Sequence, residues 1–115
     1  YFRDNTYSKH INASKEYIYS HIKERITIED LADSLGVSAS YLSRLFKKET
    51  GISFTEYLVR HRIRKAKKLI KSGNSSFKEV ADAVGYHDYV QFSKMFKKYA
   101  GVAPSIYRQA SFKTE

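Results

Sequence analysis

Two stretches decide how this chain folds: ADSLGVSASYLSRLFKKETG, residues 32–51, and ADAVGYHDYVQFSKMFKKYAG, residues 81–101. They are one phrase written twice. Leu31-Ala32-Asp33 with Leu35-Gly36 matches Val80-Ala81-Asp82 with Val84-Gly85. One extra residue then enters the second turn, and the register resumes: Ser38 with Asp88, Leu42 with Phe92, Leu45 with Met95, Phe46 with Phe96. Lys47-Lys48, Gly51 and Tyr57 meet Lys97-Lys98, Gly101 and Tyr107. An internal repeat of this kind signals two copies of one supersecondary unit.

Each copy reads as a short helix, a tight turn containing Gly, and a second helix, which is the helix-turn-helix arrangement. Ala32 and Ala81 are small where two helices must cross closely. Gly36 and Gly85 suit a turn geometry that a Cβ resists. Leu42 and Phe92 then plug the second helix back onto the first.

Outward from the repeat, the rest of the chain also reads as helix. Ile11, Ile18 and Ile22, with Tyr7 one turn before them, predict an amphipathic helix from Ser8 to about Arg25, after a loose lead-in at 1–7. Thr27 caps the helix that ends at Gly36, and Asp30 places negative charge in its first turn. Ser38 caps the helix that stops at Gly51. Ser53 caps a long one from Phe54 to about Lys71, broken by SGNSS at 72–76. Ser76 with Glu79 forms a capping box, Asp88 caps the next helix, and Pro104 opens a short last one, SIYRQ. The expected architecture is all-α, about seven helices without a strand. It divides into a first helix-turn-helix subdomain at 8–53, a linker helix at 54–72, a second subdomain at 73–109 and a tail at 110–115.

Composition narrows the function. The 115 residues carry 21 Lys+Arg against 12 Asp+Glu, a net charge of +9, which suits a polyanionic partner, nucleic acid above all. The absence of Cys removes disulfides, thiolate nucleophiles and cysteine metal sites. His10, His21, His61 and His87 form no ligand spacing, and neither a Gly-rich phosphate loop nor a Ser-His-Asp set is visible, so no cofactor and no enzyme chemistry is expected. No apolar run approaches the roughly 18 residues of a membrane span, and no signal-peptide pattern is present. Tyr1 stands where an initiator Met would, so the chain is expected to be a piece of a longer protein.

Helical rotation of about 100° per residue separates the faces of each second helix. Leu42, Leu45 and Phe46 turn inward, as do Phe92, Met95, Phe96 and Tyr99. Ser40, Ser43, Arg44 and Lys47 turn outward in the first copy. Val90, Ser93, Lys94 and Lys97 do so in the second, with Tyr89 at the helix start. Small residues let a helix sit deep in a major groove, and Arg or Lys reaches guanine O6 and N7. Arg44 is the strongest candidate for base readout, and Val90 suits a thymine methyl. Phosphate contacts are expected from Lys47, Lys48, Lys97 and Lys98. The long helix adds Arg60, Arg62, Arg64, Lys65, Lys67, Lys68 and Lys71, with no acid between Glu56 and Glu79. Some of these only solvate the helix, and Arg62 has an alternative reading as a structural residue paired with an acid.

The runs VSASYLSRLFKKETGISFTEYLVRHRIRKAKKLI and EVADAVGYHDYVQFSKMFKKYAGVAPSIYR resemble the DNA-binding domain of AraC/XylS-type bacterial transcription regulators, over about residues 8–109. The most specific part is Gly85-Tyr86, Phe92, Phe96, Gly101, Pro104 and Tyr107-Arg108. The resemblance implies two helix-turn-helix subdomains joined by the linker helix, with recognition helices at 39–50 and 89–100. Carried over by position, it puts base contacts on Ala39, Ser40, Ser43 and Arg44, then on Tyr89, Val90, Ser93 and Lys94. It also implies double-stranded DNA and RNA polymerase as partners, a cytoplasmic, nucleoid-associated activator, and a separate N-terminal sensing, dimerisation or receiver domain. Three rival readings stand beside it: a non-specific architectural DNA binder, a helical module of a DNA-repair methyltransferase, and a membrane-surface helix. The last lacks exposed apolar faces beside its basic ones.

Overall fold

The computed structural model describes residues 5–113, with side chains from 9 to 111. Residues 1–4 of the expected lead-in, residues 114–115 of the tail and the Tyr7 side chain lie outside the described residues. Among the described residues there are seven helices and no strand: α1 (Asn5–Ser20), α2 (Ile28–Leu35), α3 (Ala39–Thr50), α4 (Phe54–Ser72), α5 (Phe77–Ala83), α6 (Tyr89–Ala100) and α7 (Pro104–Lys113). The chain divides into two compact units, and the division falls inside α4, between Leu58 and Val59. The linker helix is therefore shared out rather than standing apart. Phe54 and Leu58 belong to the first core, while Ile63, Ala66 and Ile70 belong to the second.

In the first unit, Ile11 and Ile18 of α1 pack with Leu31 and Ala32 of α2 and with Leu42, Leu45 and Phe46 of α3. Phe46 is fully buried and meets the Phe54 ring edge-on at 5.7 Å and the Tyr57 ring at 5.0 Å. In the second unit, Val80, Ala81 and Val84 pack with Phe92, Phe96 and the α4 residues. Phe96 meets Tyr107 edge-on at 5.5 Å, the counterpart of the Phe46–Tyr57 contact. Both alanines of the repeat are buried, so the close helix crossing expected of Ala32 and Ala81 is present in each copy.

Three boundaries differ from the sequence expectation. α1 starts at Asn5, inside the supposed lead-in, and ends at Ser20 instead of near Arg25. Residues 21–24 form a turn, closed by the Glu24 N–H on His21 O at 2.8 Å. Ile22 is buried from that turn, so an apolar period that looked helical is continued by non-helical backbone. α7 runs on to Lys113, through the supposed tail, because no Gly or Pro follows Gln109 to stop it.

Candidate nucleic-acid interface

The turn between the two helices of each copy is built by the same hydrogen bonds. In the first, Gly36 N–H donates to Asp33 O at 3.2 Å and Val37 N–H to Ala32 O at 3.1 Å. In the second, Gly85 N–H donates to Asp82 O at 3.1 Å and Tyr86 N–H to Ala81 O at 2.8 Å. Such bonds satisfy carbonyls that a helix end leaves open, and they need a residue in the left-handed region. Gly36 has φ +72° and Gly85 φ +95°. The extra residue of the second copy is then absorbed before the next cap. Ser38 Oγ accepts from Tyr41 N–H at 3.1 Å to start α3, and Asp88 Oδ1 accepts from Val90 N–H at 2.9 Å to start α6.

These caps fix which faces point outward. On α3, Ser40, Ser43, Arg44, Lys47 and Lys48 are exposed, whereas Ala39 is half-buried and packs against the first core. On α6, Val90 is 61% exposed and Tyr89 41%, two of the four exposed large apolar side chains among the described residues, the others being Tyr19 and Ile106. Lys94, Lys97 and Lys98 are exposed and Ser93 is half-buried. Tyr89 leans on Phe92 at 6.0 Å between ring centroids, so the core limits where the phenol can swing. The eight base-contact candidates thus form two groups, one on each second helix, with Ala39 and Ser93 the least accessible. Lys47 and Lys48, like Lys97 and Lys98, also sit in a last helical turn, where cations offset the helix dipole.

Arg62 takes the structural role that was one of its two readings, through a partner the sequence did not suggest. It is only 6% exposed; its Nη1–H donates to Val84 O, and its guanidinium lies 5.8 Å from the Tyr86 ring centroid. The residue therefore grips both sides of Gly85. Burial pushes the Arg62 pKa down while Tyr86 works against that shift; burial also raises the Tyr86 phenol. Arg108 ties α7 down in a similar way. Its Nη2–H donates to Ser75 O at 2.6 Å, and the guanidinium stacks 4.3 Å from the Phe77 ring centroid.

Elsewhere on α4 the field is strongly positive. His61 is pushed down to about 4, first by burial and then by Arg64, Lys65, Arg62 and Lys68. Of the other histidines, His10 meets Tyr41 edge-on at 6.3 Å, His21 stacks on Tyr17 at 4.0 Å, and His87 is exposed. Among the described residues, no three His, Asp or Glu side chains gather to hold a metal ion, and no helix is long and apolar enough to cross a membrane.

The sequence pattern of the family described as "Helix-turn-helix domain" matches residues 31–110, which take in both turns and both second helices. This chain belongs to the AraC/XylS family. Its AraC-type domain is 36% identical over 103 residues to the raffinose operon transcriptional regulatory protein RafR of Pediococcus pentosaceus, covering 90% of this chain and 37% of RafR. The chain thus spans well under half the length of that relative. The C-terminal domain of AraT, a response regulator from Geobacillus stearothermophilus, superimposes with a TM-score of 0.84 at 39% identity, over 88% of this chain and 84% of that one. The DNA-binding domain of AdpA, a global transcriptional factor solved in complex with a target DNA, superimposes with a TM-score of 0.79 at 27% identity, over 84% and 87% of the two chains. An AraC-type domain is a DNA-binding module of transcription regulators, not an enzyme.

Proposed function

We propose that this domain binds double-stranded DNA in a sequence-specific way, with α3 and α6 as two recognition helices in successive major grooves. Ala39, Ser40, Ser43 and Arg44 face the bases from α3, and Tyr89, Val90, Ser93 and Lys94 face them from α6. Lys47, Lys48, Lys97 and Lys98 take the phosphates. The observation that carries this reading is the repetition: each Gly-containing turn delivers a capped second helix whose exposed side combines short side chains with Arg or Lys. A short side chain lets the backbone approach base edges, and the cation supplies both attraction and a donor pair for guanine. α4, continuous from Phe54 to Ser72, supports the idea that the two readers act as one device.

The two faces are chemically different, so the operator is asymmetric. α3 offers Arg44 with two hydroxyls for hydrogen bonding, while α6 offers Val90 and Tyr89 for apolar contact. The domain serves as the output module of a bacterial regulator, acting in the cytoplasm at the nucleoid. It activates by recruiting RNA polymerase, under control of an N-terminal sensing, dimerisation or receiver domain. Selection from a random duplex pool, followed by footprinting, tests the reading. The expected product is an asymmetric site with two protected clusters about 34 Å apart. Equal affinity for selected and scrambled duplexes would favour a non-specific architectural binder instead.

A further inference from the structure

Beside α6 lies a hollow of about 570 Å³ lined by Arg60, Ile63, Arg64, Lys67, Lys98 and Tyr99. Four of these side chains are cationic, and neither α6 nor the part of α4 beyond Glu56 contains an acid. Arg60 has interactions of its own within the chain, so the case rests on Arg64, Lys67 and Lys98. Aromatic rings hold two of these ammonium groups without neutralising them: Lys98 Nζ lies 5.5 Å from the Tyr99 ring centroid and Lys67 Nζ 5.9 Å from that of Tyr107. Ile63 and Tyr99 are the only apolar walls, whereas sites for small organic ligands are lined mainly by apolar groups. The chemistry fits phosphate.

The position of the hollow identifies the source. A helix with its side chains is about 10–12 Å across and a major groove about 12 Å wide, so the two flanks of an inserted helix face the two sugar-phosphate strands. On α6, Lys98 stands about 100° around the axis from Lys97, on one such flank. The opposite flank carries Tyr89, which is 41% exposed, and the half-buried Ala100, with Ser93 between that flank and the outward face. The hollow lies on the Lys98 side. Arg60, Arg64 and Lys67 follow one another along about 10 Å of helix, against one phosphate per about 3.4 Å of duplex axis on each strand. On the equivalent flank of α3, Tyr41, Arg44, Leu45 and Lys48 line a smaller hollow of about 290 Å³, with two cations where the α4–α6 hollow has four.

We infer that the α4–α6 hollow seats backbone phosphates of the DNA strand walling the major groove that α6 enters, with Arg64, Lys67 and Lys98 as its ligands. The inference rests on the DNA-binding reading above and adds a site on the linker helix, away from the face that reads bases. It makes α4 a part of the contact surface as well as a connector.

The test compares salt dependence of duplex affinity for the wild-type chain and the Arg64→Gln/Lys67→Gln double variant, on a pool-selected duplex and on a scrambled one. Each lost phosphate contact lowers the slope of log K against log salt by about 0.9. The affinity drop between 50 and 200 mM salt should therefore shrink on the order of tenfold, on both duplexes alike. Arg64→Gln alone, at an exposed position, should shrink it about threefold and guards against damage from losing the Lys67–Tyr107 contact. A charge-matched Lys9→Gln/Lys23→Gln control, on α1 and in the turn that follows it, should leave the slope in place. An unchanged slope in the double variant, or an equal change in the control, overturns the inference. Titration with inorganic tripolyphosphate separates the other source: tight binding lost in the double variant, with an unaltered DNA slope, would assign the hollow to free polyphosphates. If the wild type fails to prefer the selected duplex, sequence-specific reading fails, whereas the slope difference still judges the hollow.

Discussion

Replacing Arg62 with Met should unravel the second turn while leaving the first unit intact. Arg62 is buried, and its Nη1–H donates to a buried carbonyl, Val84 O, at the C-terminal end of α5. Methionine keeps the length of the side chain but offers that oxygen nothing. A buried acceptor left unsatisfied costs about 1–3 kcal/mol, and losing the cation against the Tyr86 ring removes about 1 kcal/mol more. A favourable term opposes these, since burying a guanidinium is itself costly and Met is not charged. The net expectation is about 2–3 kcal/mol of destabilisation, confined to residues from Val59 onward. Lysine should recover only part of it, because an ammonium lacks the planar fork that can serve the carbonyl and the ring together. Urea unfolding followed by amide exchange resolves the two units. Protection of the Gly85 and Tyr86 N–H groups should fall by about two orders of magnitude, with Val37 and Leu42 unaffected. A loss below 0.5 kcal/mol, or an equal loss in both units, would show that Arg62 is not what holds the turn.

Three further outcomes are expected. Arg44→Ala should cost on the order of 1–3 kcal/mol on the preferred duplex and relax one base position in a repeated selection; uniform weakening on all sequences would refute base reading. Gly36→Ala should destabilise the first unit by about 1–2 kcal/mol although a Cβ there meets nothing within 4 Å, because φ +72° is the whole penalty. Gly36→Asn should cost less, since Asn tolerates the left-handed region, and the reverse order in thermal unfolding would contradict the argument. For His61, the folded pKa of about 4 lies below the unfolded value near 6.5, so stability is full above pH 6.5 and is lost as pH falls towards 4. The ring is half-exposed and screened, so the loss is about 1 kcal/mol rather than the ~3 that full burial would carry. His61→Gln should flatten that pH dependence in urea titrations, and an unchanged profile would remove His61 as its source.

The repeat made most of this fold legible because each of its marks has a local physical cause. A glycine at the turn, a hydroxyl or carboxylate at the cap and an apolar residue each third or fourth position act within a few residues of one another. The caps at Thr27, Ser38, Ser76 and Asp88 and the left-handed glycines all stand where the sequence puts them. What escaped was non-local or lacked a mark. Ile22 keeps the apolar period of α1 from a turn, because burial does not require helical backbone. α7 overran its expected end because nothing in Ala110 or Ser111 distinguishes a tail from a helix. Arg62 meets a carbonyl 22 positions along the chain, and no spacing rule distinguishes it from the solvated cations around it.

That difficulty with Arg62 has a functional side. Seven Lys and Arg side chains follow Glu56 on α4, and read as a string they look equivalent. Folding sorts them by rotation about one helix axis. Arg62 turns into the second core and holds the turn before α6; Arg64 and Lys67 turn towards the hollow beside Lys98; Lys68 and Lys71 stay exposed. One basic segment therefore performs separable tasks, fixing the turn before α6 and placing positive charge along the flank of that helix. Arg62 variants should change stability at every salt concentration, whereas Arg64 variants should change the salt slope of binding and leave unfolding alone. If both sets moved both quantities together, the helix would be acting as undifferentiated charge and the division of labour would be wrong.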